Sequence, residues 1–242
     1  MPFRQRVRMS PHSIRDNFSS VQERIAAAAR RTGRRAEEIT LIAVSKTYAA
    51  EAIRMAYAAG LRHFGENRVQ EWEAKRAAVG DLPATWHLVG HLQSNKAARA
   101  AGLFHSVDSV DDLALAQRLE RVRTELSARQ KLRILLEVRL APEETKTGVT
   151  PEDLHALAEQ VVMLAHLELA GLMCIPPFLE ESEKVRPYFC RLRELRDDLA
   201  SKLGRPLPVL SMGMSHDFEV AIEEGANEVR LGTAIFGART KK

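Results

Sequence analysis

Two hydrophobic periods alternate along this chain. Ile14, Phe18, Val21 and Ile25 stand three or four residues apart, a helical stripe that closes near Gly33. Ile39 to Val44 then forms a short, β-branched apolar run, the pattern of a strand. A helix is predicted from Ala49 to Ala59 with its stop at Gly60, a second strand at His63 and Phe64, and a helix over 66–79. Trp86 to Val89 predicts strand three, followed by a short helix from Ser94 to Ala101.

The second half repeats the theme. Leu103 to Val107 predicts strand four, and Ser109 with Asp112 has the form of a capping box. The helix that follows carries Leu115, Leu119, Val122 and Leu126 on one face. Leu132 to Val138 predicts strand five, with a helix after Pro151, a residue suited to a first helical turn. Leu167 to Leu172 is strand six, and 180–201 a helix with Val185, Phe189, Leu192 and Leu199 inward. Leu207 to Leu210, a helix over Phe218 to Glu224, and a strand from Glu228 to Leu231 complete the series.

Strands that alternate with helices predict parallel βα units. A doubly wound sheet competes, but eight strands without a long inserted loop favour closure into a single α/β barrel of the (β/α)8 TIM type. The 242 residues fit one barrel of about 250 without remainder. No linker rich in Gly, Pro or Ser divides the chain, so 1–242 is expected to be one domain, its barrel over about 39–237. Only a helical stub follows Gly232, and the N-terminal helix, about 11–32, is expected to cover the wall there.

Composition narrows the function classes. Hydrophobic residues make up 45% and charged residues 28%, which is globular rather than disordered. The net charge of +4 is modest, and Arg118, Arg121 and Arg123 are interleaved with Glu120 and Glu125, so they read as a solvated face and no nucleic-acid partner is expected. Cys174 and Cys190 form neither a disulfide framework nor a CxxC unit, which suits a reducing, cytoplasmic setting. Met1 to Met9 is basic but lacks a following apolar region, so it is not read as a secretory signal. No run approaches the ~20 apolar residues of a membrane span, and no membrane association is expected.

Residues just past the C-terminal ends of barrel strands form the active face. Lys46 follows strand one directly, either as a snorkelling or paired rim lysine or as an imine-forming amine. Phe64–Arg68, His91–Lys96, Asp108, a loop with Lys146 and Gly148, and Met173–Cys174 follow strands two to six. Strand seven runs into Ser211-Met-Gly-Met-Ser215 and strand eight into Arg230-Leu-Gly-Thr233. Each puts a hydroxyl and a glycine at a predicted helix start, where backbone N–H groups can hold an anion; an ordinary N-cap is the plainer reading of either alone. A phosphate site facing a strand-end lysine suggests a phosphorylated carbonyl compound and leaves sugar-phosphate aldolases and pyridoxal phosphate both open.

The motifs themselves carry a resemblance. Val44-Ser-Lys-Thr47, Phe64-Gly-Glu-Asn-Arg68, Trp86-His87, Gly90-His-Leu-Gln-Ser-Asn-Lys96, Ser106-Val-Asp-Ser109, Gly171-Leu-Met173, Leu210-Ser-Met-Gly-Met-Ser215 and Arg230-Leu-Gly-Thr-Ala-Ile-Phe-Gly237 resemble the YggS/PROSC family of pyridoxal phosphate homeostasis proteins, over residues 41–237. That family is similar in turn to the N-terminal barrel of alanine racemase, a fold type III pyridoxal phosphate protein. The resemblance implies pyridoxal 5′-phosphate as cofactor, an aldimine at Lys46, and phosphate contacts from Ser215, Gly232 and Thr233. It also implies Arg230 near the pyridine nitrogen and Asn67 near the ring, with His91, Ser211 and Met212 in the surrounding wall. Arg139, Leu140 and Thr147 depart from the family pattern around the Lys146-Thr-Gly148 core.

The implied role is homeostatic: a monomer that binds and buffers the cofactor, affects amino-acid and keto-acid balance, and hands the cofactor to apo-enzymes, without significant catalysis. An arginine at the ring nitrogen disfavours its protonation and so weakens the ring as an electron sink. The tyrosine base of alanine racemase comes from a second domain not evident here; Tyr48 lies two residues past Lys46. The alternative is a small pyridoxal phosphate-dependent amino-acid racemase or lyase. A scaffold without cofactor would leave Lys46 and both anion loops incidental.

Overall fold

The computed structural model describes residues 13–141 and 147–238. Its strands are β1 (Thr40–Val44), β2 (His63–Glu66), β3 (Thr85–Leu88), β4 (Ser106–Val110), β5 (Leu132–Glu137), β6 (Leu167–Met173), β7 (Val209–Ser211) and β8 (Glu228–Leu231). They close in chain order into one parallel barrel, β8 pairing back onto β1 with Ile42 opposite Arg230. The helices are α1 (Ile14–Arg31), α2 (Ala50–Ala59), α3 (Val69–Val79), α4 (Ala97–Leu103), α5 (Leu113–Glu125), α6 (Leu154–Val161), α7 (Arg186–Leu203), α8 (Phe218–Glu223) and α9 (Thr233–Phe236).

Alternation along each strand sorts side chains into two environments. The outward set, including Ala43, Phe64, Trp86, Leu136, Leu172 and Leu210, merges with the inner faces of the helices into the main hydrophobic core. Trp72 of α3 lies against Trp86 with ring centroids 3.9 Å apart, and Phe64 stacks on the same indole at 5.2 Å. The inward set is different. It holds two small apolar clusters, Ile42–Val44–Val89 and Leu135–Ala170–Met173, and a buried polar group that includes His87, Asp108, Glu137, Glu228 and Arg230.

α1 covers the wall beside the shortened last unit, as its stripe predicts. Asn17 Nδ2 donates to the Ile235 carbonyl at 2.9 Å, and Arg24 forms a two-pronged pair with Glu219 of α8, both contacts 2.9 Å. Ser13 caps α1 in a capping box with Asp16.

Strand four departs from expectation. Leu103 belongs to the last turn of α4, Phe104 is its buried cap, and the strand is Ser106-Val-Asp-Ser-Val110. A hydrophobic pattern misses it because its inward positions are polar, matching a polar barrel interior. Asp108 therefore sits inside the barrel, fully buried, rather than in a loop beyond it. Ser109 is no helix cap either: its hydroxyl donates to the Gly90 carbonyl at 2.7 Å, while Asp112 alone caps α5 through the Leu115 N–H. The helix after β2 starts at Val69, leaving Glu66 in the strand, and the helix after Pro151 starts at Leu154.

Candidate functional site

The barrel's C-terminal mouth is built from loop residues that the strands deliver to one place. Beyond β1 the backbone turns sharply: Tyr48 N–H donates to the Ser45 carbonyl at 3.1 Å, and Thr47 takes φ 66°, a left-handed conformation unusual for a β-branched residue. Lys46 rides in this turn, half-buried at the strand end. The turn is held from below. Ser45 Oγ donates to Glu66 Oε1 at 2.7 Å, and Lys75 of α3 donates to both that oxygen and the Ser45 carbonyl, each at 2.8 Å. It is also held from the side, because Tyr48 O–H donates to the Gly237 carbonyl at 2.7 Å and its ring stacks on Phe236.

Across the mouth lies Arg230. It is 4% exposed, and its guanidinium donates to Ser211 Oγ and to the Cys174 carbonyl, both at 2.7 Å. Both partners are neutral, and among the described residues no carboxylate lies within ion-pair distance of it. Guanidinium carries five N–H donors, so an acceptor on a ligand would find more of them available. Cys174 contributes only its carbonyl, since burial pushes its thiol up to about 12 and keeps it protonated.

The loops after β7 and β8 are tied together. Ala234 N–H donates to Ser215 Oγ at 3.2 Å, the Arg230 N–H donates to the Gly213 carbonyl at 3.0 Å, and Asp217 Oδ1 accepts the Met214 N–H at 2.6 Å. Gly213 has φ 94°, and a Cβ there would stand 2.6 Å from that of Ala221, so the turn requires glycine. Gly232 and the exposed Thr233 head α9, where the first-turn N–H groups lack intrahelical partners.

Asn67 and His91 stand on the opposite rim. A Cβ on Gly90 would come within 2.5 Å of the Asn67 carbonyl, so glycine lets these two loops touch. Asn67, Gly90, His91 and Lys96 line an open cleft of about 790 Å³ beside the mouth. His91 is about half exposed, with Nδ1 3.7 Å from Asp111 Oδ2. Met212 is the exception among the expected wall residues: its side chain is fully buried in the core between strands and helices, away from the mouth, while Ser211 faces inward onto Arg230. Lys146 lies outside the described residues.

Two groups at the mouth escape a motif reading. Glu137 ends β5 facing inward, 4% exposed; its Oε1 accepts Thr147 Oγ1 at 3.0 Å, and its buried Oε2 has no hydrogen-bond partner. Burial pushes this carboxyl above its ordinary range, with Asp111 adding to the shift and Arg230 opposing it. The signal was available, since a charged residue closing the apolar run Leu132–Leu136 is the pattern that marks Lys46. The Ser45–Glu66–Lys75 brace joins a strand to a helix and has no such sequence signature.

Residues 17–240 match the model of the alanine racemase N-terminal domain. The chain is 49% identical to the pyridoxal phosphate homeostasis protein of Pseudomonas aeruginosa over 227 residues, covering 94% of this chain and 96% of that one. Identity to the protein of the same name from Aquifex aeolicus is 47% over 224 residues, covering 93% and 97%. The chain belongs to the pyridoxal phosphate homeostasis protein family. Among solved structures of similar proteins, PipY of Synechococcus elongatus with pyridoxal phosphate bound superposes with a TM-score of 0.83 at 40% identity, covering 93% of this family member and all of PipY. The shared fold is thus the closed eight-stranded barrel with helices outside, and among the described residues no helix is long and apolar enough to cross a membrane.

The mouth of this family member suits such a cofactor on physical grounds. It offers a strand-end amine at Lys46, a buried cation with neutral partners at Arg230, and two coupled loops with hydroxyls and helix-start N–H groups. Each is a complement to one part of a phosphorylated pyridine aldehyde.

Proposed function

We propose that this chain binds pyridoxal 5′-phosphate at the C-terminal mouth and serves vitamin B6 homeostasis as a holder of the cofactor rather than as a catalyst. The observation that carries the reading is Arg230, buried, its guanidinium bonded among the described residues to the neutral Ser211 Oγ and Cys174 carbonyl, in the mouth that also holds Lys46. A guanidinium so placed donates to a ring nitrogen lone pair. It also opposes protonation of that nitrogen, because two positive groups would face each other.

When bound, the cofactor supplies an electrophilic aldehyde carbon, and Lys46 is the amine for it. Ser215, Thr233 and the N–H groups at Gly232 and Thr233 would hold the phosphate through charge-assisted hydrogen bonds. Asn67 and His91 would flank the ring, and Ser211 would fix Arg230. The chain would work as one monomeric unit in the cytoplasm, where its free Cys174 and Cys190 suit a reducing milieu, and would pass the cofactor to apo-enzymes. The role in pyridoxal phosphate homeostasis for which the relatives are named supports this reading.

The test is covalent mapping. Borohydride reduction of the cofactor-loaded protein should fix the label on the peptide that contains Lys46, and Lys46→Ala should abolish the fixation. A label found on Lys96 or another lysine instead would overturn the assignment.

A further inference from the structure

The opposite, N-terminal half of the barrel interior holds a second cluster that cofactor binding does not use. His87 of β3, Asp108 of β4 and Glu228 of β8 point inward, 1%, 0% and 6% exposed. One donor atom from each lies within 4.8 Å of the other two. The groups facing them include Glu38, His63 of β2, Ser106 of β4, Arg133 of β5 and His105 at the rim. Arg133 lies against both carboxylates, with Nη1 3.9 Å from Asp108 Oδ1 and Nη2 on Glu228 Oε1 at 2.5 Å.

The hydrogen bonds show which donor atoms of the cluster are already engaged. Asp108 Oδ1 accepts from Ser106 Oγ, which leaves Oδ2 at 3.1 Å from His87 Nδ1. Glu228 Oε1 accepts from Arg133 Nη2, which leaves Oε2 buried without a hydrogen-bond partner. His87 Nε2 lies 3.1 Å from His63 Nδ1. Each member therefore commits one atom to an outer partner, and a donor atom of each lies within 4.8 Å of the other two. That division is the habit of metal ligands, whose outer partners fix tautomer and orientation. His87 Nδ1 and Asp108 Oδ2 are hydrogen-bonded at 3.1 Å, a separation that two neighbouring ligands each about 2.0–2.1 Å from one ion also adopt. An ion there would displace the bridging proton to solvent.

We propose that His87 Nδ1, Asp108 Oδ2 and Glu228 Oε2 form a divalent metal site of the Zn2+ or Mn2+ class. One imidazole and two carboxylates, without thiolate, suit those borderline-to-hard ions rather than soft ones. His87 would then carry its proton on Nε2 and donate it to His63, with Arg133 and Ser106 orienting the two carboxylates; His87 and Glu228 line a cleft of about 290 Å³ at the N-terminal rim through which an ion could enter. The ion would place positive charge beside the two buried carboxylates and cross-link β3, β4 and β8. It acts on barrel stability and is independent of the mouth that holds Lys46.

The experiment uses chelator-stripped full-length protein, titrated separately with Zn2+ and Mn2+ by calorimetry and followed by thermal unfolding. The expected result is one equivalent per chain for at least one ion, with a rise in Tm, and loss of both in Glu228→Gln. Ser106→Ala keeps all three ligands and should weaken binding about 10–100-fold, which guards against a Glu228 variant that fails to fold. Anomalous diffraction from metal-soaked crystals of the wild type should place the ion between His87 and Glu228. Absence of a stoichiometric site for both ions, unchanged affinity in both variants, or an anomalous peak only at surface histidines such as His91 or His166 would overturn the proposal.

Discussion

The ammonium of Lys75 lies 2.8 Å from the carbonyl oxygen of Ser45, the residue immediately before Lys46. It is simultaneously 2.8 Å from Glu66 Oε1, whose side chain is fully buried. A helix on the outside of the barrel thus anchors the peptide that carries the site lysine. Lys75→Met strands a buried carboxylate and should cost about 3–5 kcal/mol in urea unfolding. The Lys75→Met/Glu66→Gln double variant should recover much of that loss, because the uncompensated charge goes with it. Additive losses would mean that the pair is not coupled.

Gly90 gives a second mechanical test. An alanine there places Cβ 2.5 Å from the Asn67 carbonyl and 2.9 Å from its Cα, both backbone atoms that a rotamer change cannot move. Gly90→Ala should destabilise by about 1–3 kcal/mol through overpacking and should weaken cofactor binding by displacing Asn67. An alanine variant with wild-type Tm and affinity would show that the two loops are free to separate.

How much of this was legible in the sequence follows from what each segment faces. β1, β5 and β6 were found because their runs are apolar, and α1, α5 and α7 because their stripes keep a helical period. β4 was displaced because Ser106 and Asp108 face a polar interior, which inverts the expected pattern. At the mouth, Lys46 and Ser215 are legible as chemistry-bearing residues at strand ends, whereas Arg230 stands out only through the family resemblance. Met212 lies beside them in sequence, yet strand alternation turns it into the core. Glu66–Lys75 and Glu137–Thr147 depend on contacts across elements or across a turn, and local motifs do not encode such distances.

The carboxyl of Glu137 predicts a pH signature. Burial raises its folded-state pKa, whereas in the unfolded chain it titrates in the ordinary range near about 4.3. The unfolded state therefore releases its proton first, and this group's contribution is complete at low pH and lost as pH rises through the folded pKa. Glu137→Gln keeps an acceptor for Thr147 and removes the penalty. The variant should gain on the order of 1 kcal/mol over wild type at neutral pH, with the gain shrinking toward zero at about pH 4. Unfolding curves across that range check it; a difference independent of pH would mean an ionised carboxylate with a satisfied partner.

The phosphate loops predict a selective loss. Ser215 Oγ accepts the Ala234 N–H, so its hydroxyl proton remains to be donated to an anion. Charge-assisted bonds of this kind contribute about 1.5–3 kcal/mol, and Ser215→Ala should weaken pyridoxal phosphate by roughly ten- to a hundredfold. Unphosphorylated pyridoxal, lacking the group concerned, should bind both proteins weakly and alike. A parallel loss for both ligands in a fluorescence titration would assign Ser215 to loop architecture alone.

The residues near Lys46 also predict weak turnover. Racemisation of an amino acid needs, besides the released site lysine, a second base on the opposite face of the substrate. Tyr48 is the tyrosine near that lysine, but its hydroxyl donates to the Gly237 carbonyl at 2.7 Å and its ring is stacked on Phe236, a geometry that fastens the β1 loop to α9. Cys174 is held protonated by burial, and its carbonyl serves Arg230. His91 remains, about half exposed and 3.7 Å from Asp111, too far for a hydrogen bond that would orient it. Arg230 compounds the deficit by opposing a proton on the ring nitrogen. The cofactor-loaded protein in deuterated water should exchange the α-proton of D- and L-amino acids well below about one turnover per second, and His91→Ala should change that rate little. Exchange at ordinary enzymatic rates that disappears in His91→Ala and in Lys46→Ala would instead assign a two-base site and make the protein an amino-acid racemase or lyase.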